Sequence, residues 1–275
     1  MEGCVGYNDL PPPMTVHGSS PQTARTVSAQ APGLSVFFPA YNDSGTIASL
    51  VIRSVQIASS LTPNFEVIVI NDGSNDSTPQ ILDELAELYP DSVRIVHHEQ
   101  NRGYGGALRS GFATASKDVI FYTDGDAQYD PAEMVLLWEQ LTNDVDWVNG
   151  YKISRSDPIH RIVIGRVYHH FVKILFGFKV RDVDCDFRLI RRRVFDKVRL
   201  EKNSGVICLE MMKKFNDAGL RVAEVPVHHY HRAHGKSQFF NFPRIARTGI
   251  DVLRLWWALV IRKEHLKAGR ETVVA

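Results

Sequence analysis

Between residues 34 and 123 the sequence repeats one unit: a short apolar run, a polar loop, and a segment whose apolar residues recur at helical spacing. The runs fall at 34–38, 65–70, 93–96 and 119–122, and the longer ones are rich in Val, Ile and Phe without polar alternation. Strands of that kind are buried on both faces, so the unit predicts an α/β fold with a mostly parallel sheet and helices on both sides. Ile47, Leu50, Val51, Val55 and Ala58 mark a first helix. Ile81, Leu82, Leu85 and Leu88 mark a second, which opens on Thr78 and Pro79 as cap and first position. Leu108 and Phe112 belong to a third. Ligands of such sheets bind at the carboxyl ends of the strands. The polar loops 39–43, 71–76, 101–106 and 124–128 are therefore expected to converge on one crevice.

The fourth run ends abruptly in Asp124, Gly125, Asp126, then Gln128, Asp130 and Pro131. A buried strand that delivers carboxylates to its own tip suits a hard cation such as Mg²⁺ or Mn²⁺, which keeps waters and ligates a substrate phosphate. Two plainer readings compete. The alternate acids resemble a calcium loop, but Tyr129 and Val135 stand where that loop needs Gly and Glu. A turn that merely caps the helix starting at Pro131 would also favour Asp. The glycines at 103, 105 and 106 do not make a dinucleotide fingerprint, because Leu108 takes the third glycine's place and the loop follows the third strand. No phosphate-binding loop with its Lys and Ser/Thr is present either.

With 275 residues, 44% of them hydrophobic, the chain can build a sizeable core. Cys4, Cys185 and Cys208 have no metal or redox spacing, which fits a reducing, cytoplasmic compartment. A net charge of +1 hides a split: residues 1–150 carry 6 Lys and Arg against 19 Asp and Glu, and residues 151–275 carry 26 against 12. An acidic half that can hold a cation joins a basic half that can meet an anion. No nucleic-acid motif accompanies the charge, so nucleic acid is not an expected partner. Residues 1–33 include Pro11, Pro12 and Pro13 with no apolar period, and are expected to be a disordered tail rather than a signal peptide. The run 255–261 is far short of the ~20 residues of a membrane span, so any membrane contact is expected to be peripheral.

Taken in order, Pro39-Ala-Tyr-Asn, Asn71-Asp-Gly-Ser, Asn101-Arg-Gly, Asp124-Gly-Asp-Ala-Gln and Arg232-Ala-His-Gly-Lys-Ser resemble the inverting family 2 glycosyltransferases with the GT-A fold, of the dolichol-phosphate mannosyltransferase and polyprenyl-phosphate type. The resemblance runs from about Leu34 to Phe240. It implies a Rossmann-like GT-A domain over 34–240, with a nucleotide-sugar half at 34–150 and an acceptor half at 151–240. It also implies that Asp72 meets the base or ribose with Pro39, Tyr41 and Asp43 around it, Asp43 replacing the more usual Glu. Asp124, Asp126 and Gln128 would bind the Mg²⁺ or Mn²⁺ that clamps the diphosphate, and Arg232 and Lys236 could close over the same phosphates. Lys152 stands where the family has an arginine.

Arg161 and Arg166 follow on a segment whose Ile162, Val163, Val167, Phe171, Ile174 and Leu175 repeat at helical spacing. Such a helix can lie at a membrane surface and, with Lys152, bring a lipid phosphate to the crevice; packing on its own domain fits the periodicity equally well. Cys185 and Asp186 replace the family's Ser and Gly before Phe187-Arg188. A lipid phosphate needs no general base, whereas a sugar or metabolite hydroxyl does, and Asp184 or Asp186 could serve. Otherwise these acids pair with Arg181, Arg188 or Arg191. His228, His229, His231 and His234 match no zinc spacing and read as a loop around Arg232. Residues 241–275 are expected to hold an amphipathic helix with Ile245, Ile250, Leu253, Trp256, Trp257 and Val260 on one side. The expected function is transfer of a hexose, of the GDP-mannose or UDP-glucose kind, from a nucleotide sugar to polyprenyl or dolichyl phosphate at the inner face of a membrane. A hydroxyl acceptor, or a non-catalytic nucleotide-sugar-binding module, are the alternatives.

Overall fold

The computed structural model describes residues 31–155, 159–232 and 242–271. Most of the expected tail at 1–33, together with His234 and Lys236, lies outside them. Seven strands form one sheet: β1 (Leu34–Ala40), β2 (Phe65–Asn71), β3 (Val93–His97), β4 (Val119–Thr123), β5 (Trp147–Arg155), β6 (Phe187–Arg191) and β7 (Val222–His229). Their order is β3-β2-β1-β4-β6-β5-β7, and only β6 runs antiparallel to its neighbours. The sheet begins with β1, grows outward to β2 and β3, and continues with β4 on the other side of β1. That reversal opens a crevice beyond the carboxyl ends of β1 and β4.

β1 and β4 are buried along their whole length, as unalternating apolar runs require. Successive side chains feed two cores. Phe37, Ile68, Ile70, Ile120 and Tyr122 point to one face, and Val36, Phe38, Val67, Val69 and Phe121 to the other. The first core is closed by α3 (Tyr104–Thr114), α5 (Ile159–Phe176), α6 (Ile207–Asp217) and α7 (Phe242–Trp256). The second is closed by α1 (Ile47–Leu61), α2 (Thr78–Leu88) and α4 (Met134–Gln140). Each such fully buried aliphatic or aromatic side chain contributes roughly 1.5–3 kcal/mol.

The last three strands were not readable from apolar runs, for physical reasons. β6 carries Arg188 as its second residue, and β5 carries Asn149, whose side chain joins Arg188 at 2.9 Å. β7 is an edge strand with Pro226, tolerated only where no neighbour needs its N–H. His228 and His229 end β7, instead of lying in the expected loop; His231 and Arg232 follow it. The His228 backbone N–H and Nδ1 meet the two Glu133 oxygens at 2.8 and 2.6 Å, which ties the strand end to the turn before α4. Past α7 the chain makes a π-turn at Trp257–Ile261 and a last helix, α8 (Glu264–Glu271). Among the described residues no helix is long and apolar enough to cross a membrane.

Candidate active site

β4 ends at Thr123, so Asp124 and Asp126 emerge at its tip. Ala127, at φ 55°, turns the chain sharply behind them. Gly125 presses on the end of β1: a side-chain carbon there would lie 2.6 Å from the Pro39 carbonyl oxygen and 3.3 Å from Asp43 Oδ2. The acid loop and the 39–43 loop are thus in contact, as the sheet order demands. Gln128 then captures the far end of the sheet, its Nε2 donating to the Tyr230 carbonyl at 3.1 Å and its own carbonyl accepting from Tyr230 N at 2.8 Å. Two residues later Arg232 reaches Asp126 Oδ2 in an ion pair.

The site gathers negative charge away from solvent. Burial pushes the Asp124 carboxyl well above the ordinary carboxylate range, and Asp186 and Asp126 push the same way. Burial also raises Asp126, against the pull of Arg232 and of the Gln128 N–H. Asp43, held by Tyr41 N at 2.9 Å, is pushed up to about 6, by burial first and by Asp126 in addition. Carboxylates so placed are short of positive charge, and two of them stand one residue apart at a rigid strand end with an amide side chain two residues on. That donor set and that deficit fit a hard divalent cation held by Asp124, Asp126 and Gln128.

The other expected residues fall in different places. Tyr41 is exposed on the rim, and Asp72 is turned inward with only 3% of its surface exposed. Lys152 lies on β5, with Nζ on the Asp184 carbonyl at 2.6 Å and its N–H on Asp182 Oδ2 at 3.2 Å. His169 of α5 comes beside these acids, its ring nitrogen and their oxygens lying within 4.8 Å of one another. Arg166 is exposed on α5, and the Arg161 side chain lies outside the described residues. Asp186 pairs with Arg188 at 2.8 Å and accepts from the Cys208 thiol at 3.1 Å. Arg188 itself is wholly buried and also donates to Asn149, to Tyr122 and to the Val183 carbonyl.

Two residues at the site escaped the sequence reading. Tyr104 donates its hydroxyl to Asp124 Oδ1 at 2.7 Å, and His98 meets Asp72 Oδ1 at 2.7 Å. Tyr104 directly follows the Asn101-Arg-Gly motif, which was the only available signal.

The helices on the β6 side carry a second apolar surface. On α5, Val172 and Phe176 are buried while Val167, Phe171 and Ile174 face out; on α7 and its π-turn, Val252, Leu255 and Leu259 are buried while Ile250, Leu253, Trp257 and Ile261 face out. Exposed Arg247, Arg254 and Arg262 flank the second stripe.

Comparison with known proteins gives the family and the fold. Residues 35–199 match the Glycosyl transferase family 2 model. The chain is 33% identical to glycosyltransferase AglD of Haloferax volcanii over 266 residues, which is 93% of this chain and 42% of that protein. It is 29% identical to the undecaprenyl-phosphate 4-deoxy-4-formamido-L-arabinose transferase of Aeromonas hydrophila, over 75% of this chain and 62% of the relative. The chain therefore spans less than two thirds of the length of either. In fold it is similar to glucosyl-3-phosphoglycerate synthase of Mycobacterium tuberculosis, with a TM-score of 0.62 and 22% identity over 81% of this chain and 78% of that one, in a crystal structure holding Mn²⁺, UDP and glucosyl-3-phosphoglycerate. The mixed sheet with its crevice is the GT-A fold, and the chain belongs to glycosyl transferase family 2.

Proposed function

We propose that this chain is a metal-dependent, inverting glycosyltransferase that moves one hexose from a nucleotide sugar to a polyprenyl-type lipid phosphate in a single displacement. The observation that carries this reading is the buried acid pair at the tip of β4, short of positive charge and reached by Arg232. A bound Mg²⁺ or Mn²⁺ would supply the charge that stabilises a departing diphosphate. The name of the Aeromonas relative, an undecaprenyl-phosphate transferase, supports the lipid phosphate.

In this reading Asp124, Asp126 and Gln128 hold the cation, while Pro39, Tyr41, Asp43 and Asp72 surround the nucleoside. Arg232, released from Asp126, and Lys236 bind phosphate oxygens. Lys152, Arg161 and Arg166 receive the acceptor phosphate, which is already an anion and needs no base. The engagement of Asp186 by the Arg188 guanidinium and the Cys208 thiol weakens its claim as the base for a hydroxyl acceptor, because a carboxylate so occupied is a poor proton acceptor. Residues 34–240 form the catalytic unit and 241–275 an amphipathic addition. The outward apolar stripes of α5 and α7, with their arginines, rest on the inner face of a membrane and present the lipid.

The test is to incubate purified protein and Mn²⁺ or Mg²⁺ with a panel of labelled nucleotide sugars and polyprenyl phosphate, then extract into organic solvent. The expected product is organic-soluble label that mild acid releases. Label confined to a water-soluble, acid-resistant glycoside would overturn the acceptor, and full activity in Asp126→Ala would overturn the site.

A further inference from the structure

The metal-binding reading of Asp124 and Asp126 leaves unexplained what fixes their orientation. Like charges crowd the site: Asp43, Asp126 and Asp186 all bear on the same small volume. A carboxylate there will rotate away from its neighbours unless something holds it. Arg232 holds Asp126, and Tyr104 holds Asp124.

Tyr104 has little freedom of its own. It is the first residue of α3, and the residues on either side of it are pinned by two different parts of the chain. Asp72, at the tip of β2, accepts from Arg102 N at 2.8 Å through Oδ1 and from Gly103 N at 3.0 Å through Oδ2. On the other side, the Asn203 carbonyl accepts from Gly105 N at 2.8 Å and Gly106 N at 3.3 Å. The fit is tight. Gly103 sits at φ +83°, and a side-chain carbon on Gly105 would lie 2.4 Å from the Lys202 carbonyl oxygen.

Asp72 is held in turn by His98, at 2.7 Å from Nδ1, while His98 Nε2 lies 2.8 Å from the Ser110 hydroxyl on α3. The His98 ring thus bridges the Asp72 carboxyl and the Ser110 hydroxyl. The strand tips of β2 and β3 are thereby fastened to the helix that carries Tyr104. His98 and Asp72 are both almost fully buried, and the Tyr104 ring packs against the core beneath them.

We infer that Tyr104 is a positioning residue of the metal centre, which fixes the Asp124 carboxylate through its hydroxyl, and that Asp72 with His98 is the clamp that fixes Tyr104. This rests on the reading of Asp124 as a metal ligand. One hydroxyl, by occupying part of Oδ1, fixes the rotation of the carboxylate. Groups that orient metal ligands in this way typically matter 10–100-fold for affinity. The clamp gives Asp72 a task within the folded chain, separate from any contact with a nucleoside.

The experiment is a Mn²⁺ titration of the full chain without nucleotide, following free Mn²⁺ by electron paramagnetic resonance. Wild type is expected to bind, and Tyr104→Phe, which keeps the ring, to bind on the order of 10–100-fold more weakly. Its transfer activity should recover at high Mn²⁺, with the KM for the nucleotide sugar then unchanged. If the hydroxyl merely satisfies a buried donor, Tyr104→Phe will lower the melting temperature and leave Mn²⁺ affinity within twofold, which overturns the inference. Absence of Mn²⁺ binding by the wild type would instead overturn the metal reading itself. Asp72→Asn provides an independent arm, also without nucleotide, and decides the matter should Tyr104→Phe fail to fold. Weaker Mn²⁺ binding there supports the clamp, and Mn²⁺ binding unchanged from wild type refutes it.

Discussion

Arg188 is the largest wholly buried side chain among the described residues, and it sits under the acid cluster. Its guanidinium supplies the counter-charge to Asp186 and satisfies the Asn149 oxygen and the Val183 carbonyl at once. Arg188→Leu removes the counter-charge of Asp186 and the donor to the Asn149 oxygen and the Val183 carbonyl, which costs about 3–5 kcal/mol. Urea unfolding checks this; a loss below about 1 kcal/mol would show that water replaces the guanidinium. Asp43 offers a prediction in pH. Its carboxyl is pushed up to about 6 from an ordinary 3.8, chiefly by burial, so the folded chain binds this proton more tightly than the unfolded chain does. The corresponding stability is fully present below pH 3.8 and is lost as pH rises through 6, by about 2–3 kcal/mol. Metal-free wild type should therefore lose stability relative to Asp43→Asn across that window, because the amide resembles the protonated acid. Parallel curves for the two proteins in chelator would count against the shift.

At the scale of an element, α7 shows why amphipathic periodicity is an incomplete guide. Ile250, Leu253 and Trp257 read as part of one apolar side, yet it is Val252, Leu255 and Leu259 that enter the core. The helix is apolar over more than half its circumference, and only the position of α6 and the sheet decides which part is covered. The two parts are expected to answer differently to mutation. Leu255→Ala should cost about 2–5 kcal/mol of stability, as a large-to-small core change does, with little effect on vesicle binding. Leu253→Ser with Trp257→Ser should change stability by no more than about 0.5 kcal/mol per site and should weaken sedimentation with anionic vesicles. Equal vesicle binding by that double variant would remove the membrane role of this stripe.

Over the whole molecule, the acid loop is where three separate parts of the chain meet: the tip of β4, the loop after β1, and the segment after β7. A cation bound there connects all three, so its removal should be felt in global stability as well as in turnover. Ligand present at about 100 times its Kd adds about 2.7 kcal/mol to the folded state. Mn²⁺ is therefore expected to raise the melting temperature of wild type, chelator to reverse this and abolish transfer, and Asp126→Ala to be insensitive to both. A melting temperature indifferent to Mn²⁺ in the wild type would contradict the proposed centre.

The first four strands, their helices and the acid loop were legible in the sequence because their causes are local. Strands such as 65–70 and 119–122, buried on both faces, must be apolar throughout, and a strand tip that carries Asp124 and Asp126 has few uses. The tertiary structure alone decided the rest. Tyr104 lies 20 residues from Asp124, and His98 lies 26 from Asp72. No spacing rule connects such pairs, since they meet only through the order of strands in the sheet. For the same reason β6 could hide an arginine near its start: whether a buried charge is tolerable depends not only on Asp186, two residues before it, but on Asn149 and Tyr122, which the fold brings from β5 and β4.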